Sequence, residues 1–128
     1  MIAETERLVL REQTMDDLDP LTEILGDPVT MSFYPRAFNR DQVRTWIERS
    51  MKLYESRGFG LWAMILKETG EFVGQCGLTV QDVEGVPLVE IGWHVDRIHW
   101  RRGYASEAAA AARDRGFDLG LVKLVSLI

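Results

Sequence analysis

Apolar and polar residues alternate along the first part of the chain with a period that changes from that of a strand to that of a helix. Residues 7–11 (Arg-Leu-Val-Leu-Arg) have a period of two, which predicts a half-buried strand. Thr14 then begins a segment typical of a helix cap. Pro20 lies too deep for a first helical turn, so the helix is expected to kink or restart there. The apolar residues with helical spacing are Leu18, Leu21, Ile24 and Leu25.

A second helix has clearer signals. Asn39 is suited to cap its first turn, and Gln42 stands at the capping-box position. Residues 27–38 are therefore predicted to form a loop that connects the two helices. Trp46, on the apolar face of the second helix, and Trp62 in the following segment are predicted to belong to the core.

From Leu61 onward the pattern is that of strands. Three apolar runs, separated by polar and turn-like segments, predict an antiparallel meander. The runs are Leu61 to Lys67, Phe72 to Thr79 and Leu88 to Val95, with residues 68–71 and 81–87 between them. An alanine-rich helix at 105–115 and a last apolar strand at 123–128 follow, which favours a right-handed parallel crossover. The predicted fold is α/β, with a mixed, mostly antiparallel central sheet flanked by helices.

The composition is that of one globular domain spanning residues 1–128. Of these residues 46% are hydrophobic and 27% charged, which suffices for a core without disulfides or metal. The single cysteine, Cys76, lies in an apolar setting and is expected to be a small core residue in a reducing compartment, which points to the cytoplasm. The two histidines, His94 and His99, have no paired spacing with it, so no metal site is predicted.

Charge and hydropathy narrow the classes of partner. A formal net charge of −5 repels phosphate backbones, so nucleic acid is not expected as the main partner. No stretch approaches the ~20 apolar residues of a membrane span, and the start of the chain lacks the basic and apolar segments of an export signal. A soluble protein without a membrane partner is therefore expected.

The residues suited to chemistry are concentrated between Glu90 and Glu107. Residues 100–108 (Trp-Arg-Arg-Gly-Tyr-Ala-Ser-Glu-Ala) join a strand to the start of a helix. The unpaired N–H groups of such a turn, the positive end of the helix dipole and two arginines suit a diphosphate. A glycine-tolerant turn with solvated arginines explains the same residues. Because the segment lacks a Walker lysine and the three glycines of a dinucleotide fingerprint, ATP and NAD are weaker candidates.

The order and spacing of two segments are similar to those of a known family. Residues 90–95 (Glu-Ile-Gly-Trp-His-Val), followed by residues 100–108, resemble the fourth strand and pyrophosphate loop of the GNAT superfamily of N-acetyltransferases. The resemblance is strongest to its ribosomal-protein alanine acetyltransferase (RimJ/RimL-like) branch. Residues 6–17 of this chain also resemble the start of proteins in that branch. It implies an acyl-CoA N-acyltransferase fold and acetyl-CoA as co-substrate. The implied cofactor-binding residues are Trp93, His94, Val95, Trp100, Arg101, Arg102, Gly103, Tyr104, Ala105 and Ser106.

Three residues depart from the pattern of that branch. Arg101 stands where glycine is usual, Arg97 where proline is frequent, and Trp100 where the wider superfamily has Gln or Arg. The sequence also stops after the predicted fifth strand, whereas the family continues with a helix and two strands that often supply an acid for the leaving thiolate. Either the sequence is a fragment, or a partner, such as a second copy, covers an otherwise exposed last strand.

The implied reaction is direct attack of a primary amine on the thioester carbonyl. Because the amine is protonated in water, a base or a water relay must first remove its proton. Glu90 is the best carboxylate candidate unless strand alternation turns it to solvent, and His94 is an alternative base. The backbone N–H near Val95 is expected to polarise the thioester oxygen. Phe33 and Tyr34 lie where the family places part of its acceptor pocket, with a hydrophobic plug as the equal alternative.

The sequence is compatible with three functional hypotheses. The first is an acetyl-CoA-dependent N-acetyltransferase whose partner is a small molecule bearing an amine or a protein N-terminus. The second is a non-catalytic module that binds a CoA thioester or a protein partner. The third and weakest is a nucleotide-binding α/β domain that uses the same turn.

Overall fold

A computed structural model of the protein describes residues 1–121 and 123–125. Five strands form one antiparallel sheet in chain order, and a parallel bridge from Glu90 to Val125 makes the sheet mixed. The predicted α/β fold class is confirmed. The strands are β1 (Ala3–Glu4), β2 (Leu8–Glu12), β3 (Leu61–Leu66), β4 (Phe72–Val83) and β5 (Val86–Val95). The helices are α1 (Leu18–Leu25), α2 (Arg40–Arg57) and α3 (Tyr104–Asp118).

The helix starts follow the predicted capping signals. Thr14 caps a short 3-10 turn, after which α1 restarts at Leu18, so Pro20 lies in its first turn, where its missing N–H leaves no bond unmade. Asn39 and Gln42 form the predicted capping box of α2, each side chain accepting a hydrogen bond from the other's backbone N–H at 2.9 Å. The capping box therefore fixes the end of the loop that leads into α2.

Strands β4 and β5 are longer than the pattern predicts. Residues 81–87, predicted to be a polar turn, continue both strands as far as a two-residue turn. That turn consists of Glu84 and Gly85, with φ of 52° and 81°, which is the left-handed conformation of a tight hairpin. Helix α3 also extends beyond the predicted range at both ends. The polar residues of the hairpin lie at the exposed end of the sheet. Strand residues and turn residues are both polar there, so polarity alone does not distinguish them.

The two faces of the sheet pack against different helices. Ala108 and Ala112 of α3 are fully buried against one face, in a cluster that includes Trp62. A second cluster joins α1 and α2 on the other face. Because side chains alternate along a strand, Ile91 and Trp93 face α3, whereas the even-numbered residues of β5 face the side of α1 and α2.

The predicted last strand, Lys123 to Ile128, is described only in part. The N–H of Ile91 donates to the carbonyl of Val125 at 2.8 Å, and the N–H of Val125 donates to the carbonyl of Val89 at 3.0 Å. This pairing is parallel, as the predicted crossover requires. Residues 122 and 126–128 lie outside the described residues.

Candidate active site

A cavity of about 840 Å³ opens at the outer edge of β5. One wall is formed by residues 90–95 of β5 and by the start of α3, and the opposite wall by the loop between α1 and α2. The predicted site residues in its lining are Phe33, Tyr34, Glu90, Trp93, His94, Val95, Trp100 and Ala105. The others, in the adjoining turn and helix start and outside the lining, are Arg101, Arg102, Gly103, Tyr104 and Ser106.

The outer edge of β5 turns backbone groups toward the cavity. Since Ile91 donates outward to Val125, strand alternation turns the N–H and carbonyl groups of Trp93 and Val95 to the same edge. The Tyr34 hydroxyl donates to the carbonyl of Trp93 at 2.9 Å, and Trp100 Nε1 donates to that of Val95 at 2.8 Å. Side chains thus donate hydrogen bonds to carbonyls with which a neighbouring strand would otherwise pair. The N–H of Val95 lies on the same edge, beside the cavity.

The turn predicted to bind a diphosphate stands directly beyond β5. Arg101 and Gly103 have φ of 66° and 80°, so Arg101 adopts the conformation for which glycine is usual. Within the described residues, no side chain caps the start of α3. The N–H groups of Tyr104, Ala105 and Ser106 are therefore free of intrahelical partners and suited to an anion.

Arg7 holds this turn in place, a role that the sequence analysis missed. Its Nη1 donates to the carbonyl of Arg102 at 2.7 Å, and its Nε donates to Glu107 Oε1 at 2.8 Å. The guanidinium also lies 4.5 Å from the centre of the Tyr104 ring. Although desolvation acts in the opposite direction, hydrogen bonds from Thr5 and Arg7 hold the pKa of Glu107 below its ordinary value. The opening of the chain thereby positions the loop.

Glu90 faces the cavity on the side of α1 and α2. It lines the cavity, and Gln81 Nε2 donates to its Oε1 at 3.2 Å. Strand alternation therefore does not turn this carboxylate away, which was the open question for its role as a base. Partial burial, with the nearby Glu90 carboxylate as a second cause, raises the pKa of the Tyr34 phenol, so that Tyr34 stays protonated and donates its hydrogen bond.

His94 is held as a neutral imidazole. Burial lowers its pKa to about 4. Gln75 Nε2 lies 3.1 Å from His94 Nδ1, and Gln13 Nε2 in turn donates to Gln75 Oε1 at 3.0 Å. Since an amide N–H only donates, Nδ1 accepts and the ring proton sits on Nε2. In this arrangement His94 is a donor, which disfavours the alternative of His94 as the base.

Among the aromatic residues of the cavity, one prediction fails and one alternative is decided. Phe33 lines the cavity and is 86% exposed, so it lies at the mouth rather than plugging the loop, and its role in an acceptor pocket stays a prediction; Met31, 2% exposed, is the buried residue of this segment. The prediction that Trp46 belongs to the core is wrong, because its half-buried ring lines the cavity. Trp62 is fully buried, as predicted. Both tryptophans lie on apolar patterns, and periodicity alone does not separate a cavity wall from a core.

Arg97 connects the two walls of the cavity. Its Nε pairs with Asp27 Oδ2 at 2.8 Å, and its backbone N–H donates to Thr30 Oγ1 at 3.2 Å. A proline at this position would lack both the cation and the N–H. The departure from the family pattern at residue 97 therefore supplies an anchor for the loop between α1 and α2.

Other chemistries find no support in the described part of the chain. Cys76 is fully buried, and burial raises its pKa to about 12, so it remains a thiol rather than a nucleophilic thiolate. Among the described residues there is no group of three or more potential metal ligands, and no helix long and apolar enough to cross a membrane.

Comparisons with known proteins show the family. The family model described as "Acetyltransferase (GNAT) domain" matches residues 7–128. The chain belongs to the GNAT acetyltransferase family. This GNAT chain is 38% identical to the uncharacterized protein YkkB of Bacillus subtilis (strain 168) over 117 residues, which are 89% of the chain and 67% of YkkB. It is 35% identical to the uncharacterized N-acetyltransferase p20 of Bacillus licheniformis, covering 88% of the chain and 64% of p20.

A solved structure supports the same membership. The crystal structure of an acetyltransferase from Agrobacterium tumefaciens str. C58 superimposes with a TM-score of 0.80 at 32% identity, over 97% of this chain and 71% of that one. The predicted enzyme class, an acetyl-CoA-dependent N-acetyltransferase, is confirmed for the GNAT domain. The chain spans about two thirds of the length of the two curated relatives, so the whole protein's substrates and partners are matters for proposal.

Proposed function

We propose that this GNAT domain transfers the acetyl group of acetyl-CoA to a primary amine of a small molecule or a protein N-terminus, with Glu90 as the base. One observation supports this most directly: a single cavity joins the Glu90 carboxylate to the open edge of β5 and to the start of α3. Acetyl-CoA supplies the acetyl thioester. The residues of the chain bind it, orient it and move a proton.

The turn after β5 fits the charge and shape of a diphosphate. The uncapped N–H groups at the start of α3 offer hydrogen bonds, and the exposed side chains of Arg101 and Arg102 offer positive charge. Gly103 lacks a side chain at the place where the backbone must meet phosphate oxygens. An added Cβ there would lie 3.2 Å from Arg7 Nη2, so the turn has little room for one.

Glu90 and the outer edge of β5 serve different parts of the reaction. The Glu90 carboxylate accepts a proton from the acceptor's ammonium, directly or through water, because only the neutral amine is a nucleophile. The N–H of Val95 donates a hydrogen bond to the thioester carbonyl and stabilises the negative charge that develops on its oxygen. Both groups border the same cavity, and they lie five residues apart along β5, so a chain of water is the more direct route for the proton to Glu90.

The class of acceptor is proposed from the resemblance to one branch of the family. The motif at residues 90–108 resembles the RimJ/RimL-like enzymes, for which the implied acceptor is a protein N-terminus. The cavity opens to solvent at Phe33, which is compatible with the end of a peptide as well as with a small amine. An amine in either setting meets the Glu90 carboxylate.

The test separates transfer from binding alone. Calorimetry with acetyl-CoA, ATP and NAD is expected to show binding of acetyl-CoA only. Mass spectrometry of a mixture of small amines and short peptides, incubated with acetyl-CoA and the protein, is expected to show products heavier by one acetyl group. Binding without any acetylated product would favour a non-catalytic CoA-binding module, and absence of acetyl-CoA binding would overturn the proposal.

A further inference from the structure

Two buried glutamines connect the interior of the sheet to the wall of the cavity. Gln13 is 1% exposed and Gln75 is fully buried, although glutamine is mostly an exposed residue. Gln75 stands directly opposite His94 in the pairing of β4 with β5, so their side chains share one face of the sheet. Gln13 Nε2 donates to Gln75 Oε1 at 3.0 Å, and Gln75 Nε2 lies 3.1 Å from His94 Nδ1. The three side chains form one hydrogen-bonded row that ends at the cavity.

The far end of this row is anchored to α2. The backbone N–H of Gln13 donates to the Tyr54 hydroxyl at 3.0 Å, and that hydroxyl donates to the carbonyl of Leu61. The N–H of Leu61 donates in turn to Ser50 Oγ at 3.3 Å. Burial raises the pKa of Tyr54, so its hydroxyl keeps the proton that it donates. The helix therefore fixes the position of Gln13 independently of the cavity.

The sense in which the row donates follows from the groups that it leaves unbonded. In the observed sense, the buried Oε1 of Gln13 has no partner among the described residues. Rotating both amides would place the proton of His94 on Nδ1 and satisfy this oxygen, but it would leave the buried amino group of Gln13 without any partner. Buried N–H groups without a partner are rarer in proteins than buried carbonyl oxygens without one. The observed sense is therefore favoured, and it makes Nδ1 the acceptor.

The row determines which nitrogen of His94 carries the proton. Burial lowers the pKa of His94 to about 4, so the ring is neutral at pH 7 and has a single N–H. Because Nδ1 accepts from Gln75, this N–H is on Nε2, which has no hydrogen-bond partner among the described residues. The ring lines the cavity, with its centroid 4.7 Å from that of Tyr34 and 6.4 Å from that of Trp46. The Nε2–H is thus a donor available to a molecule in the cavity.

We propose that Gln13 and Gln75 are positioning residues that hold His94 with its Nε2–H as a donor to the acetyl carbonyl of bound acetyl-CoA. The inference rests on the proposed function. Negative charge develops on this oxygen as the amine attacks, and a neutral imidazole N–H stabilises it without giving up its proton. His94 and Val95 share a peptide bond, so the ring adds a second donor beside the N–H of Val95.

The first experiment identifies the protonated nitrogen by NMR, without requiring turnover. The chain has two histidines, so nitrogen-15 labelling of histidine gives two imidazoles, and His99, which pairs with Glu71, is the internal reference. At pH 7.5 we expect His94 to carry its proton on Nε2 and to have an unprotonated Nδ1. A proton on Nδ1 in the wild type would overturn the inference.

Two variants test whether the row holds this tautomer. Gln75→Met removes the donor to Nδ1, and Gln13→Met removes the bond that orients the Gln75 amide. Both are expected to shift the two His94 nitrogen signals toward averaged values, because the proton then exchanges between the nitrogens, while the signals of His99 stay unchanged. Gln13 does not touch His94, so a purely structural role for Gln13 would not move these signals. Unchanged His94 signals in both folded variants would contradict the inference.

A matched control separates the loss of the row from a change in a buried side chain. Met64→Leu alters a fully buried residue of β3 in the cluster that packs on α3, and it removes no hydrogen bond. It should leave the His94 signals as in the wild type. Circular dichroism and thermal melting establish that each variant is folded.

The second experiment tests the partner of the Nε2–H. The labelled protein is titrated with acetyl-CoA and, separately, with CoA, which lacks the acetyl carbonyl. Acetyl-CoA is expected to move the Nε2–H proton signal of His94 downfield, and CoA is expected to leave it close to its position in the free protein. Equal shifts with both molecules, or no shift with either, would overturn the assignment of the acetyl carbonyl as acceptor.

Steady-state kinetics keeps the inference distinguishable from the proposed function. Gln13→Met and Gln75→Met should each lower kcat about 3- to 10-fold, less than the ~10²-fold cost of removing such a donor outright, with the KM for acetyl-CoA changed by less than about twofold. Met64→Leu should retain the full kcat. The expected tautomer and acetyl-CoA shift without any acetylated product would contradict the proposed transfer and support the donor. Acetylation at full kcat in both glutamine variants would support the transfer and contradict the positioning role.

Discussion

The two parts of the proposed site, a cofactor end at residues 100–107 and an acceptor end in the cavity beside β5, are built in different ways. At the cofactor end, the turn and the first turn of α3 come from one continuous segment, residues 100–107, which Arg7 holds through the carbonyl of Arg102 and the carboxylate of Glu107. At the acceptor end, the wall combines the loop between α1 and α2, one residue of α2 and residues 90–95 of β5. The loop is anchored there by the Arg97–Asp27 ion pair and by the hydroxyl of Tyr34.

This difference explains how each end responds to change. The cofactor end presents backbone N–H groups in a fixed conformation, so substitutions that alter the backbone should affect it most. The acceptor end presents mainly side chains, so substitutions of single side chains should affect it most. Under the proposed function, the cofactor end binds the acetyl donor and the acceptor end selects the amine.

The largest effect is expected at the acceptor end, from Glu90→Gln. The amide keeps the shape of the carboxylate but does not accept the proton, so kcat should fall ~10²- to 10⁴-fold with little change in acetyl-CoA affinity. Raising the pH should recover part of the rate, because more of the acceptor is then neutral. Steady-state kinetics across pH 6 to 10 is the measurement. Glu84→Gln, at the exposed hairpin tip, is the matched control and should retain the full rate.

A full rate for Glu90→Gln at neutral pH would remove Glu90 from the mechanism. Loss of thermal stability without rescue at high pH would instead assign it a structural role. Either result would leave the acceptor end without an identified base.

The next largest effect is expected at the cofactor end, from Gly103→Val. Gly103 has φ of 80°, which a β-branched residue adopts only at a cost of roughly 1–2 kcal/mol, and its Cβ would stand where the backbone meets the diphosphate. Calorimetry should show the Kd for acetyl-CoA raised at least about tenfold in a folded protein. Gly70→Val is the control, since Gly70 has a similar φ of 76° in the turn between β3 and β4, with open space around it. Equal losses of affinity in both variants would show that backbone strain alone is responsible.

The sequence predicts the strand, turn and helix start at the cofactor end better than the wall of the acceptor end, for a physical reason. A strand, a turn and a helix start are local features, so residues 90–107 and the cap at Asn39 are recognisable from spacing. The contacts that position them are not local: Arg7 reaches Glu107 across 100 positions of the chain. Trp46 was misassigned because an apolar helix face packs equally well against a core or a cavity.

A smaller effect is expected from Glu107→Gln, which weakens the hold on the cofactor turn. The carboxylate accepts hydrogen bonds from the Thr5 hydroxyl and from the Arg7 N–H and Nε, so its replacement should lower the free energy of unfolding by about 1–2 kcal/mol and acetyl-CoA affinity a few-fold. The pKa of Glu107 is lower in the folded state than its ordinary value. Its contribution is therefore fully present above the unfolded-state pKa and is lost as the pH falls through the folded-state pKa.

Thermal melting of wild type and Glu107→Gln between pH 2.5 and 7 measures this contribution. The two melting temperatures should differ at pH 7 and converge in acid as the wild-type carboxylate becomes protonated. Asp118→Asn, an exposed change at the end of α3, is the control and should show no such convergence. A constant difference across the whole pH range would show that the charge of Glu107 does not stabilise the turn.

The smallest effect is expected from Arg101→Ala and Arg102→Ala. Both side chains are exposed, so their attraction for a diphosphate acts through solvent and is screened over about 10 Å at 0.1 M salt. Each change should weaken acetyl-CoA a few-fold at 20 mM salt and by less than about twofold at 500 mM. Arg113→Ala, exposed on α3 and paired with Asp114 at 3.1 Å, is the control for a loss of one positive charge elsewhere. Equal losses at both salt concentrations would mean that the arginines act through direct contact, and the cofactor end would then depend on side chains as the acceptor end does.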